Sequence, residues 1–239
     1  MQSYVAKPIP VRERLIFALD VASKNEALEW VDKLGDSIHF YKIGMELVTS
    51  GEYFEVLRKL NALGKKIFVD LKFFDVPATV AAAVRGLTRY PVEFCTIHGN
   101  NAMLQAAVQA KGSIKLLAVT ALTSLDQRDL SDLGFNCDVH HLVLARAKAA
   151  FDTGCDGVVS SGLEVSALRS EVSHKLIVVC PGIRPLSNTD DQKRTVDARS
   201  AFTSGADYIV VGRPIRQAAD PYSAALAMQT EIAEIFKNK

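Results

Sequence analysis

Short apolar runs rich in β-branched and aromatic residues alternate along the chain with longer stretches in which apolar residues recur at helical spacing. The runs fall at 15–19, 40–43, 66–70, 94–97, 115–119, 157–160, 176–180 and 208–211, and each reads as a buried strand. Between and after them the spacing predicts helices over 24–34, 52–63, 78–89, 102–110, 139–151, 164–172, 192–203 and 221–236. Strict alternation of strand and helix implies a parallel sheet, because parallel neighbours need crossover connections. Eight such units in 239 residues predict a (β/α)8 barrel, the TIM-barrel class of α/β fold, as a single domain over 1–239. No linker, charge run or low-complexity stretch marks a second domain. The competing architecture, an open doubly wound sheet, usually carries Gly-x-Gly-x-x-Gly after its first strand, whereas this first strand runs into Asp20, Val21, Ala22 and Ser23. The longest irregular segment, 124–137, is expected to hold a short extra helix.

The third strand is the one that ends in charge. Ile67, Phe68 and Val69 lead directly into Asp70, Leu71, Lys72, Phe73, Phe74 and Asp75. Side chains alternate faces along a strand, so Asp70 and Lys72 share one side if the strand continues through them. Charges at the end of an apolar strand are costly unless paired and used, which favours a functional reading over a simple rim ion pair. Pro77 is suited to a first helical position, which leaves Asp75 in a loop or at a helix cap. A cap and a functional carboxylate are equally consistent with its placement.

Composition narrows the classes. Twenty-eight basic residues against 27 acidic give a formal net charge of +1, and no local basic patch stands out, which argues against a nucleic-acid partner. Cys95, Cys137, Cys155 and Cys180 are scattered with no Cys-x-x-Cys pair, which fits free thiols in a reducing cytoplasm. The first 15 residues lack an apolar core of signal-peptide length, and no run reaches the ~18 consecutive apolar residues of a membrane span, so neither secretion nor a membrane role is expected.

In a barrel, ligands bind where the strands end. The polar residues at those ends are Asp20, Lys42, Asp70, Lys72, His98, Thr120, Thr123 and Arg213. Lys42, flanked by Tyr41 and Ile43, needs a facing carboxylate, and Asp70 is the natural partner. His98 reads as a hydrogen-bonded rim residue. Pro181, Gly182, Ile183 and Arg184 follow the seventh strand, and Gly212, Arg213 and Pro214 the eighth, where barrels often hold phosphate with backbone amides and an arginine. The segment 186–192 has the composition of a lid or of an ordinary surface loop. No Gly-x-Ser-x-Gly, metal-ligand cluster or Walker loop is found, so chemistry must rest on carboxylates and lysines.

Taken in order, FALD at 17–20, YKIG at 41–44, DLKFFDVP at 70–77, LTS at 122–124, PGIRP at 181–185, DQKR at 191–194 and VVGRP at 210–214 resemble orotidine 5′-phosphate decarboxylase over nearly the whole chain. Many relatives carry His where this chain has Phe74. The resemblance implies conversion of orotidine 5′-monophosphate to uridine 5′-monophosphate and carbon dioxide, the last step of de novo pyrimidine synthesis, without metal or organic cofactor. It implies that Lys42, Asp70, Lys72 and Asp75 form an alternating charge array, with Lys72 protonating carbon 6 of the pyrimidine. It also implies that Asp20 and Lys42 contact ribose, that Thr123 contacts the pyrimidine, and that Arg184, Gln192, Gly212 and Arg213 serve the phosphate and lid. A homodimer is implied too, in which Asp75 and Thr79 complete the neighbouring site.

Two other readings compete. A metal-dependent sugar-phosphate lyase of the same superfamily also carries Asp-x-Lys-x-x-Asp, but places a carboxylate metal ligand where this chain has Lys42, and an ammonium there repels a divalent cation. A non-catalytic barrel binding a nucleotide phosphate has no need of Lys72 beside Asp70 and Lys42.

Overall fold

A computed structural model describes residues 6–184 and 194–237. Its eight strands are β1 (Leu15–Leu19), β2 (Phe40–Gly44), β3 (Lys66–Phe73), β4 (Phe94–Ile97), β5 (Lys115–Val119), β6 (Gly157–Val159), β7 (Ile177–Cys180) and β8 (Tyr208–Val211). All neighbours pair in parallel and in sequence order, and β8 returns to β1 with Val210 facing Ile16. The chain is therefore a closed (β/α)8 barrel, as its strand and helix alternation predicts.

The helices on the outside are α1 (Lys24–Leu34), α2 (Met45–Val48), α3 (Tyr53–Ala62), α4 (Pro77–Leu87), α5 (Asn101–Ala110), α6 (Gln127–Asp132), α7 (Val139–Thr153), α8 (Val165–Ala167), α9 (Ala198–Thr203), α10 (Arg213–Arg216) and α11 (Pro221–Phe236). Their starts are written locally. Ser23, Asn100, Asp138, Asp197 and Asp220 each cap a helix by accepting a backbone N–H from the first turn. The extra helix expected in 124–137 is α6, begun by a reciprocal capping box between Asp126 and Asp129.

Period-two alternation sorts the strand residues into two cores. Leu15, Phe17, Tyr41, Ile43, Ile67, Val69, Cys95 and Ile97 face outward and pack under the helices. Ile16, Ala18, Phe40, Phe68, Phe94, Leu117, Val179, Tyr208 and Val210 fill the barrel. Phe94 sits at its centre, with ring centroids 5.1 Å from Phe40, 5.0 Å from Tyr208 and 5.8 Å from Phe68. This aromatic plug closes the interior below the carboxyl ends of the strands. The next inward positions on β2, β3 and β4 are Lys42, Asp70 and Thr96, so the same alternation that builds the plug lifts polar groups onto it.

The structure departs from the expected elements chiefly in three places. β3 runs on to Phe73 instead of ending at Asp70. The region 164–172 is not one α-helix: a 3-10 turn, the short α8 and a π turn over Leu168–Val172 follow one another. There the buried Arg169 guanidinium reaches the carbonyls of Gly205 and Leu176 and the carboxylate of Asp207, tertiary bonds that outweigh regular helical geometry. Of the helix expected over 192–203, the described part is Ala198–Thr203, and residues 192 and 193 lie outside the described residues. Asp75, expected in a loop or at a cap, lies in the loop: Pro77 takes the first turn as expected, and the cap position falls to Val76, whose N–H donates to the Asp75 carboxylate at 2.6 Å.

Candidate active site

Three strand ends build one chain of charge. Lys42 Nζ on β2 lies 2.8 Å from Asp20 Oδ1 beyond β1 and 3.5 Å from Asp70 Oδ2 on β3. Lys72 Nζ lies 3.0 Å from Asp70 Oδ1. The order is thus carboxylate, ammonium, carboxylate, ammonium, with Lys42 and Asp70 nearly buried and Lys72 a third exposed at 33%. Burial alone would lower the Lys42 ammonium, but Asp70 and Asp20 outweigh it and leave its pKa raised. Burial would likewise raise the Asp70 carboxyl, and Lys42 and Lys72 reverse that and hold it below its ordinary value. Both groups are held in their charged forms.

The meeting of Asp70 and Lys72 depends on a bulge rather than on plain alternation. Val69 faces Cys95 across the β3–β4 ladder, yet Phe73 faces Ile97, so β3 carries extra residues over that interval. Lys72 takes up the difference with φ at +48°, making it the one non-glycine residue with positive φ among those described. Left-handed backbone at a side-chain-bearing residue costs roughly 1–2 kcal/mol, and such strain gathers at functional positions. The buried Thr96 hydroxyl holds the bulge from the neighbouring strand, accepting the Lys72 N–H at 2.9 Å and donating to Asp70 Oδ1 at 2.9 Å. No charge marked Thr96 within the run FCTI, although its inward parity with Phe94 was a usable signal.

This array forms one wall of a cavity of about 260 Å³. The rest of the lining brings in Ala121, Leu122, Thr123 and Ser124 after β5, Pro181, Gly182 and Arg184 after β7, and Gly212 and Arg213 after β8. Arg213 opens α10 directly behind Gly212, so the helix start and its guanidinium face the same space. Arg216, one turn further on, also lines the cavity and donates to the carbonyl oxygen of Asp20. Sequence reasoning passed over Arg216; its spacing of three from Arg213 on one helix face was the available clue.

Not every expected residue lines the cavity. Asp75 and Thr79 are exposed and stand outside the lining of this chain's own cavity. Gln192 and the segment 186–192 lie outside the described residues. Thr120 is buried and donates its hydroxyl to the Val159 carbonyl, joining β5 to β6. His98 packs edge-on against Phe74, with its Nε2 3.4 Å from Arg146 Nη1, and burial together with the Arg146 and Lys72 charges lowers its pKa. Cys95 and Cys180 are buried behind the strands, where desolvation pushes their thiols up. No helix among the described residues is long and apolar enough to cross a membrane.

The chain is similar in sequence and in fold to known proteins. The chain is 59% identical over 232 residues to the orotidine 5′-phosphate decarboxylase of Methylococcus capsulatus, covering 96% of each chain. It is 54% identical over 235 residues to the orotidine 5′-phosphate decarboxylase of Xylella fastidiosa, covering 97% of this chain and 96% of the relative. The crystal structure of orotidine 5′-phosphate decarboxylase from Lactobacillus acidophilus superposes with a TM-score of 0.82 at 34% identity, over 92% of this chain and 99% of that one. The family profile described as orotidine 5′-phosphate decarboxylase / HUMPS matches residues 13–228, from just before β1 into α11. With the match running through every strand of the barrel, the chain belongs to the orotidine 5′-phosphate decarboxylase / HUMPS family.

Proposed function

We propose that this chain, as one barrel domain working as a homodimer in the cytoplasm, decarboxylates orotidine 5′-monophosphate to uridine 5′-monophosphate and carbon dioxide. The observation that carries the reading is the alternating array Asp20, Lys42, Asp70 and Lys72 on one wall of the cavity. The bond from carbon 6 to the carboxylate breaks, its electron pair stays on carbon 6, and carbon dioxide leaves. Lys72 Nζ supplies a fixed positive charge beside the developing carbanion and then donates the proton that completes uridine 5′-monophosphate. Such a charge favours the transition state over the neutral carbon of the ground state, and it does so without a cofactor as electron sink.

The other residues divide the substrate between them. Asp20 and Lys42 bind the ribose, Thr123 the pyrimidine, and Arg184, Gly212 and Arg213 the phosphate, with Gln192 assigned there by resemblance. Asp70 holds Lys72 and lies near the departing carboxylate. Asp75 and Thr79, exposed on their own subunit, are directed to the site of the second copy. Phosphate is remote from the bond that breaks, and its binding energy is spent on assembling the reacting end.

The sugar-phosphate lyase reading needs a divalent cation among oxygen ligands. Here the two cavity carboxylates, Asp20 and Asp70, flank the Lys42 ammonium, a donor set matched to a cation already built into the protein. Incubating the protein with orotidine 5′-monophosphate in excess chelator and separating the nucleotides tests the assignment. Quantitative uridine 5′-monophosphate is expected; unchanged substrate, with turnover of sugar phosphates once magnesium is supplied, would transfer the chain to the lyases.

A further inference from the structure

Glu164 and Arg194 form an ion pair that the proposed chemistry does not use. Glu164 Oε1 lies 2.8 Å from Arg194 Nη1, and the two side chains are only 8% and 10% exposed. Two of their polar atoms, Glu164 Oε2 and Arg194 Nε, are buried with no hydrogen-bond partner among the described residues. A buried pair with unsatisfied atoms is seldom the most stable filling for its space, since well-packed apolar side chains often do as well or better. The pair is better explained by something that a guanidinium can do.

The rest of the fork shows what that is. Arg194 Nη2 donates to the carbonyls of Ala121 at 3.2 Å and Leu122 at 3.1 Å, and the Arg194 backbone N–H donates to the Thr123 carbonyl at 3.2 Å. Three consecutive carbonyls in the segment after β5 are therefore held by one residue, and all three of these residues line the cavity. From behind, the Ser161 hydroxyl donates to the Arg194 carbonyl at 3.0 Å. Apart from the bond to Glu164, the side-chain hydrogen bonds of Arg194 among the described residues go to this segment after β5.

We infer that Arg194, oriented by Glu164, is a positioning residue that sets the Ala121–Thr123 backbone and thereby the pyrimidine end of the site. The inference rests on the proposed function, in which Thr123 meets the pyrimidine. A planar guanidinium spans two carbonyls and a carboxylate at once, whereas a lysine ammonium acts as a point charge and cannot keep all three in that geometry. Small misplacements of a positioning segment are costly in turnover, so the pair earns its keep through geometry.

The test uses the full-length protein with Arg194→Lys and the isosteric Glu164→Gln, the second of which keeps the test alive if the first does not fold. Calorimetry gives the affinity of each for uridine 5′-monophosphate and for ribose 5-phosphate, which has the phosphate and sugar but no base. Both variants are expected to bind the nucleotide about tenfold more weakly and to lose about 10- to 100-fold in kcat/KM. Ribose 5-phosphate affinity should stay within about twofold, as expected when the perturbed segment does not touch the ligand. Unchanged nucleotide affinity, or equal weakening of both ligands, overturns the inference. A wild-type protein that neither binds uridine 5′-monophosphate nor consumes orotidine 5′-monophosphate defeats the proposed function itself and takes the inference with it. Active wild type with indistinguishable variants defeats the inference alone.

Discussion

The Lys72 backbone N–H donates to the Thr96 hydroxyl at 2.9 Å, so a residue on β4 fixes the left-handed turn that aims a lysine on β3. The same hydroxyl donates to Asp70, and Lys72 Nζ closes the triangle onto the same carboxylate oxygen. Thr96→Val keeps the shape and removes the hydroxyl. It should lower kcat for orotidine 5′-monophosphate by about 10- to 100-fold, the usual cost of a misaimed catalytic group, and leave the Kd for uridine 5′-monophosphate nearly unchanged. Wild-type kcat in the valine variant would remove the bulge from the account.

The phosphate end should behave differently from the reacting end. Arg213→Ala is expected to reduce kcat/KM by roughly a hundredfold or more through lost binding energy. Turnover at saturating substrate should remain measurable, because the Lys72 array is untouched. Steady-state kinetics decide the point, and an unchanged kcat/KM would take Arg213 out of the phosphate site.

Asp75 stands exposed on its own subunit, and the proposal sends it to the neighbouring site. Lys72→Ala and Asp75→Asn homodimers should each be nearly inactive. Mixed and allowed to exchange, they form hybrid dimers with one fully wild-type site, and activity should recover toward about a quarter of the wild-type value, the statistical yield for a two-fold dimer. No recovery, despite hybrid dimers seen by native mass spectrometry, would place both residues in one subunit's site.

Acid stability reports on Asp70. Its folded pKa is depressed below the ordinary 3.8, chiefly because Lys42 and Lys72 overcome its burial. A depressed carboxyl adds stability that is present above the unfolded pKa and fades as pH falls through the folded one. The difference in Tm between wild type and Asp70→Asn should therefore be constant from about pH 7 to 5, then drift toward the variant's favour below the unfolded carboxyl pKa. A pH-independent difference down to pH 3 would mean that Asp70 is not ion-paired in solution.

Much of this was legible in the chain because period two and period 3.6 are written into side-chain order. Leu15–Leu19, Phe94–Ile97, Lys115–Val119 and Tyr208–Val211 begin and end where their apolar runs do. The pairing of Lys42 with Asp70 followed from an ammonium in an apolar setting needing a carboxylate. What the sequence hid were effects of tertiary contact. The bulge at Lys72 depends on a hydroxyl from β4, and the broken helix at 164–172 on Arg169 reaching Asp207, 38 positions away. Of the two placements open to Asp75, the structure takes the loop, because Pro77 at the helix start puts the cap position at Val76. Arg194 sat in the DQKR motif without any sign that its carbonyl partners lay more than 70 positions earlier.

The central claim is that Lys72 is the group that stabilises and protonates carbon 6. The most direct measurement follows the ultraviolet absorbance of orotidine 5′-monophosphate with wild type and with Lys72→Ala, side by side in excess chelator. The account predicts rapid loss with wild type and a rate at least about 10⁴-fold lower with the variant, since both a charge and a proton donor are removed. Near-normal decarboxylation by Lys72→Ala would contradict it.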